Sequence, residues 1–507
     1  MHRRSPASAP AAAVRAALAR ALAAAVRAAL VPALAAVWLA SAPAAAEPPP
    51  EGRCPSIARS GAGGVTADAI GVPLREGMLL EFKDIYSLLH LLPPEIWRNR
   101  HVFFHEGMKL NVGPCHRRYA VPPWYRDATE QYAGKARIDD EGNLLDYVAG
   151  LPFPPESIQA DDPLAGARWA WNQAYRWQGA GPTGNFRITD MPSRLGSVET
   201  YTGKFFQAQI AHRADLGATG YREPDVGDGL IWVSGGEFLE PFDARHLAWR
   251  QMRPLEVDRR FQEPDDTFVY VPTMRKPRRG ATAWVDGLYV PRYRVGGTLA
   301  GGGVPFGSNQ YGPAGSIQPT AGVSAASSEH IRRGFVGMTL RPNAYRWKLI
   351  QEREVLAPLN GENPGYPANP ERNFGESGLS FGSDRWDVRW AVVLEGHARD
   401  RRNEVQILTL YVDWQTQQPL YYISRKGDRR ILDVGILIYR YSGDLVDYPE
   451  WPGGRRALVF DPVGAAFYGV IEGGTGWRRE SYDVTSLPLP PEKLKYLTST
   501  TDLLKKN

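Results

Sequence analysis

The chain has two cysteines, no apolar run long enough for a membrane-spanning helix, and no excess of either charge once its first residues are set aside. Each shortage excludes something. The longest uninterrupted apolar stretch, Ala28 to Ala40, falls short of the ~20 residues that cross a bilayer and is broken by Pro32. Arg3, Arg4, Arg15, Arg20 and Arg27 precede or flank it without one acid, and Ala44-Ala45-Ala46 follows. This is the pattern of a secretory signal peptide over residues 1–46, with cleavage expected after Ala46. The Arg3-Arg4 pair is followed by Ser5-Pro6-Ala7 rather than a twin-arginine consensus, so the general secretory route is expected. Cys54 follows Glu51-Gly52-Arg53 and does not sit in a lipid-attachment context.

The five leader arginines account for the whole formal charge of +5. Without them, 55 Lys and Arg face 55 Asp and Glu, which removes the broad basic footprint a nucleic-acid partner requires. Cys54 and Cys115, in an exported chain, read as a disulfide rather than a metal or catalytic site. Such a bond would tie a loose N-terminal segment to the body.

Runs of Ala, Leu, Glu and Lys are confined to the leader, whereas aromatics make up 11% and Gly and Pro are abundant. That balance favours sheet over helix. No period of twenty to fifty residues recurs, which argues against a propeller or solenoid. Residues 47–75 read as an extended arm, and apolar spacing predicts a short helix over Met78–His90, stopped by Pro93-Pro94. Asp161-Asp162-Pro163 predicts the start of a second helix running to Trp177. The expected organisation is a signal peptide over 1–46, an N-terminal arm with helices over 47–184, and an antiparallel β-sheet domain over 185–507.

Within that last region, alternation dominates. Strands are predicted over Thr200–Ala211, Gly229–Ser234, Thr267–Val271, Arg385–His397, Glu404–Trp414, Pro419–Ser424 and Ile431–Tyr441. Trp386, Val388, Trp390, Val392 and Leu394 alternate with Asp387, Arg389 and Glu395, and Leu408, Leu410, Val412 and Trp414 repeat the pattern. Strands joined by turns such as Arg425-Lys426-Gly427-Asp428 are neighbours, so their apolar faces are expected to merge into one wall. A glycine-rich stretch over 296–328, too poor in large apolar residues to build a core, and a second Gly/Asn/Pro-rich loop over 360–383 interrupt the strands.

Patterns that could bear chemistry fail on context. Gly378-Leu379-Ser380-Phe381-Gly382 has nucleophile-elbow spacing but lacks the strand before and the helix after it. His101, His105 and Glu106 would suit a metal only on a helix; Val102-Phe103-Phe104 reads as strand, which spaces the two histidines about 13 Å apart at ~3.3 Å per residue. Gly301-Gly302-Gly303 lacks the Lys-Ser/Thr of a phosphate loop. Acid pairs such as Asp139-Asp140-Glu141 sit in turns. No catalytic residue, metal or cofactor is therefore expected.

Several segments resemble one bacterial family, numbered 1329 among domains of unknown function and often labelled as outer-membrane lipoprotein-sorting proteins. They are Leu92-Pro93-Pro94-Glu95-Ile96-Trp97, Gly150-Leu151-Pro152-Phe153-Pro154, Trp169-Ala170-Trp171-Asn172, and Val269-Tyr270-Val271-Pro272 with Arg275, Arg278 and Arg279. Tyr345-Arg346-Trp347-Lys348-Leu349-Ile350 and the hairpin sequence from Val412 to Leu420 are similar to later landmarks of the same group. The stretch over 296–328 departs from it. The resemblance implies a mainly β, α+β fold like that of periplasmic lipoprotein carriers, a half-open antiparallel barrel with a helical lid, in the bacterial envelope.

Together these readings predict a periplasmic protein that binds or transfers a hydrophobic, lipid-like molecule, with Trp386, Trp390, Leu408, Leu410, Trp414, Ile436 and Ile438 as ligand-binding wall residues. The other face of the same strands is the alternative lining. Competing expectations are an envelope hydrolase using Ser380 or a buried carboxylate pair, and an accessory partner of an outer-membrane barrel or transporter. Neither a nucleic-acid partner nor a stable membrane span after cleavage is expected.

Overall fold

The fold is described from a computed structural model covering residues 47–58, 71–191, 198–224, 226, 229–272, 276–279, 292–293, 323–324, 339–362, 374–375, 377–403, 405–471 and 474–499. The predicted signal peptide lies outside the described residues, as does the glycine-rich stretch apart from Val323–Ser324. The chain divides into two units, one formed by Met1–Glu47 with Gln159–Asp161 and the other by Pro48–Ile158 with Asp162–Asn507. The second contains everything below.

Its frame is a fifteen-stranded sheet. In chain order the strands are β1 (Leu79–Leu80), β2 (Leu110–Cys115), β3 (Thr183–Met191), β4 (Glu199–Gln209), β5 (Leu230–Glu240), β6 (Ala248–Pro254), β7 (Asp266–Val271) and β8 (Lys276–Arg279), followed by β9 (Tyr345–Ala357), β10 (Arg385–Ala398), β11 (Ile407–Asp413), β12 (Pro419–Arg425), β13 (Ile431–Tyr441), β14 (Phe460–Ile471) and β15 (Gly474–Thr485). The hydrogen-bonded order is β8-β7-β6-β5-β4-β3-β15-β14-β13-β12-β11-β10-β2-β1, with β9 also paired to β10. Among the described residues all pairs are antiparallel except β10 with β2, so the sheet is mixed, and its end strands do not pair to close a barrel. The mainly β class expected from the alternation is what forms. The arm region contributes more than an arm: β1 and β2 join the sheet, and Cys115 at the end of β2 forms a disulfide with Cys54.

The hairpin between β11 and β12 shows how sequence fixes local structure. Asp413 ends β11, and its carboxylate accepts hydrogen bonds from the Thr416 amide (2.7 Å) and the Thr416 hydroxyl (2.8 Å). Its carbonyl accepts from the Gln417 amide, which sits at φ 56°. A carboxylate that satisfies the turn's own donors makes the reversal locally self-sufficient. Arg389 of β10 donates to the same carboxylate at 2.7 and 3.2 Å, tying the turn to the neighbouring strand.

Helices are short. A 3₁₀ helix spans Phe82–Leu88, inside the predicted Met78–His90 helix, where the Glu81 amide donates to Asp84 at 2.9 Å. Then come α1 (Pro94–Arg98), α2 (Arg100–Phe103), α3 (Pro123–Tyr132), α4 (Ala165–Ala174) and, near the C-terminus, α5 (Pro491–Thr498). Val102-Phe103 is thus helical, not a strand: Phe103 and Phe104 are buried from a helix and its cap, and alternation was the wrong period for three consecutive apolar residues. His101 is exposed, and His105 is buried with Nδ1 2.7 Å from the Glu106 carbonyl. Among the described residues no cluster of His, Cys, Asp and Glu is arranged to hold a metal.

Candidate functional site

Register decides which predicted wall residues share a face. Leu410 pairs with Tyr422, Tyr422 with Gly435, Gly435 with Phe467, Phe467 with Arg478, Arg478 with Asp190, and Asp190 with Glu199. Paired residues project to the same side. Leu408 keeps the phase of Leu410, and Trp390, whose carbonyl accepts the Trp414 amide, keeps that of Leu394, the β10 partner of Leu410; Trp386 packs instead on Phe104 and donates to the Phe381 carbonyl. Ile436 pairs instead with Tyr421, the partner of Tyr411. Ile436 and Ile438 therefore line the opposite face. The seven residues therefore do not form one wall, because period-two alternation within each strand says nothing about phase between strands.

The two faces are covered differently. On the Leu410 side, Trp169 of α4 meets the Trp414 ring at 6.2 Å, and α4 also packs on β9 and β10. On the Ile436 side, Glu95 of α1 pairs with Arg425, and Phe103 of α2 meets Tyr468 at 6.5 Å. Trp386, Leu408, Leu410, Ile436 and Ile438 are buried by the protein's own side chains, while Trp390 and Trp414 are half-buried. The three cavities described next are lined by none of the seven.

An open groove of about 710 Å³ runs beside the disulfide, between Glu51, Leu74, Glu76 and Arg117. Two small cavities flank the C-terminal end of α4, of about 30 and 20 Å³. The first lies between Trp171 and Tyr175 on one side and Gln209, Trp232 and Arg253 on the other, so α4 is clasped to the Leu410 face at this end as well. Each cavity admits a water-sized occupant and no organic substrate.

Between the small cavities stands a buried polar cluster that no sequence motif announced. His212 lines one cavity and Asp258 the other, and Tyr175 lines both. The His212 Nδ1–H donates to the Val148 carbonyl at 2.7 Å, which leaves Nε2 facing the Asp258 carboxyl at 4.0 Å. Tyr175 donates its hydroxyl to Asp258, and the Tyr147 ring lies 4.6 Å from His212 and 4.3 Å from Tyr175. Burial pushes Asp258 up to about 7 and His212 down to about 4, and holds both tyrosines well above their usual range. Burial thus favours the uncharged imidazole and lets the carboxyl keep its proton to a much higher pH than an exposed one. This group can hold or pass one proton; it has no room to meet a substrate. Its members come from segments up to 111 residues apart (147 to 258), joined only by tertiary packing, and each lacks a local signature.

Ser380 lies in a loop, not at a strand-to-helix turn, and its Oγ accepts the Gly382 amide at 3.1 Å. Deeper in the sheet, Asp265 binds Arg253 (3.0 Å) and Arg341 (2.7 Å) with all three side chains buried, an ion triad that braces β6.

The family model described as Protein of unknown function (DUF1329) matches residues 101–291. That span holds the landmarks Gly150–Pro154, Trp169–Asn172 and Val269–Pro272, and also Tyr147, Tyr175, His212 and Asp258. No curated protein matches the sequence. Among solved structures, the chain is similar to a domain described as an outer membrane lipoprotein-sorting protein domain from Vibrio parahaemolyticus, at 13% identity over 67% of this chain and 100% of that one, with a TM-score of 0.34. A DUF1329 family protein from Desulfovibrio piger shows 11% identity over 62% and 89%, TM-score 0.32. A LolA superfamily protein from Nitrosomonas europaea shows 14% over 66% and 96%, TM-score 0.29.

Proposed function

We propose that this chain, matched to the DUF1329 family over residues 101–291, is a non-catalytic envelope protein that binds a hydrophobic, lipid-like molecule on the Leu410 face of its sheet. The observation that carries the reading is the cover: a ten-residue helix, α4, holds that face through Trp169 on Trp414. A helix of ten residues has little stability of its own and depends on the surface it buries. An acyl chain offers equivalent burial, about 0.8 kcal/mol per methylene, so ligand and helix compete for one surface without an energy source. On this reading the wall, filled by the protein's own side chains, has to open before a ligand enters. The disulfide and the predicted signal peptide support an oxidising, extracytoplasmic location.

Native mass spectrometry and organic extraction of gently purified protein test this reading. A bound hydrophobe is expected, and delipidated protein should take up a fluorescent fatty acid, more readily in Trp169→Ala than in wild type. Trp414→Glu should take up less. Absence of bound hydrophobe together with no uptake by any of the three proteins overturns the proposal.

A further inference from the structure

At the β4–β7 end of the same sheet face, polar and aromatic residues fall into adjacent rows. Gln207 pairs with Ser234, Ser234 with Gln251, and Gln251 with Thr267. All four are 0–1% exposed, and they stand side by side on four neighbouring strands. Glu199, the end of the register path from Leu410, lies eight residues before Gln207 on β4, so the row belongs to the Leu410 face. Hydrogen bonds run along the row in one direction. The Ser234 hydroxyl donates to Gln251 Oε1 at 3.3 Å, and Gln251 Nε2 donates to Asp265 at 2.6 Å. At the other end, the Gln207 carboxamide has no partner for either its nitrogen or its oxygen. A fully buried amide with both a donor and an acceptor idle costs free energy that an apolar side chain would avoid.

Next to this row the sheet carries a floor of rings. Phe186, Phe238 and Trp249 meet one another with centroids 5.3–6.3 Å apart. They lie close to the backbone because glycines sit beneath them: a Cβ at Gly203 would come 2.5 Å from the Phe186 ring, and one at Gly236 the same distance from Trp249. The three rings and Gln207 are 1–3% exposed, so a ligand meets them only by displacing their present cover, and there apolar bulk borders an idle donor–acceptor pair.

Resting on the ligand-binding reading above, we propose that Gln207, with Ser234 and Gln251 behind it, receives the uncharged head of the bound amphiphile, a hydroxyl or amide group, while the apolar part lies over Phe186, Phe238 and Trp249. A group that both donates and accepts satisfies the carboxamide at both atoms. The ring floor recognises only apolar bulk, so the head supplies the discrimination.

The test uses the full chain, freed of lipid, with 1-monooleoylglycerol, oleamide and methyl oleate as probes, titrated by tryptophan fluorescence. The monoglyceride and the amide present donors; the methyl ester presents none. Wild type is expected to prefer either donor-bearing probe over the ester by about tenfold, the worth of one buried hydrogen bond. Preference for one of the two tells a hydroxyl head from an amide head, and either supports the seat. Gln207→Leu should retain ester binding, lose the preference, and melt at the same temperature as wild type or higher. Ester binding with no preference in wild type, or a preference that survives in Gln207→Leu, overturns the seat and leaves the ligand-binding reading intact. Failure of all three probes to bind wild type overturns both.

Discussion

His212 and Asp258 face each other across 4.0 Å, with the imidazole's other nitrogen committed to the Val148 carbonyl. Both are displaced from their ordinary ionisation by the same cause, burial, but in opposite directions with respect to proton uptake on folding. The folded chain binds its Asp258 proton up to about pH 7, whereas the unfolded carboxylate releases it near 4; this contribution makes stability fall as pH rises between those values. His212 titrates near 4 when folded and near 6.5 unfolded, so its contribution rises with pH over about 4 to 6.5. In the wild type the two slopes oppose each other.

Removing either partner should expose the other. Relative to wild type, His212→Gln is expected to lose stability progressively from pH 4 to 6.5, and Asp258→Asn to gain it from pH 4 to 7. Each slope is bounded by about 1.4 kcal/mol per pH unit for one proton. Urea unfolding of the three proteins across that range measures the differences, and parallel curves would show that the pair does not titrate as its burial requires.

Asp265 bonds the buried guanidinium groups of both Arg253 and Arg341, and it also accepts from Gln251. Asp265→Ala should destabilise by about 3–5 kcal/mol, because it breaks two buried ion pairs at once. Asp265→Asn keeps the volume and one acceptor, and a smaller loss is expected. Chemical denaturation at neutral pH separates the two.

Gly236→Ala places a methyl group 2.5 Å from the Trp249 ring and equally close to the Lys204 carbonyl. Overpacking of this kind costs about 1–3 kcal/mol. A loss of stability accompanied by a shift in tryptophan emission is expected; an unchanged melting curve would mean that the ring does not lie over this glycine.

The disulfide closes a loop of 61 residues' separation between the arm and β2. Cys54→Ser with Cys115→Ser should cost roughly 2–4 kcal/mol by releasing entropy to the unfolded chain. The measurement is unfolding of the double variant beside wild type, without reductant.

Much of the sheet was legible because each strand carries its own alternation: Ile431–Tyr441 forms over the predicted residues, and the Asp413–Gln418 turn satisfies its own donors. The helices were legible as apolar spacing but shrank to Phe82–Leu88 and Ala165–Ala174, since their ends depend on what they pack against. Val102-Phe103 misled because three adjacent apolar residues fit either period.

By itself the sequence determined the class of structure, the position of seven of the fifteen strands, and the bond between two lone cysteines, because those follow from side-chain period, turn chemistry and pairing choices available within the chain. Tertiary structure alone decided that Leu410 and Ile436 lie on opposite faces, that Gln207, Ser234, Gln251 and Thr267 form one row, and that His212 meets Asp258. The reason is that register and burial are set between segments: a one-residue slip inverts a strand's faces, and an ionisable group's charge state depends on neighbours tens of residues away.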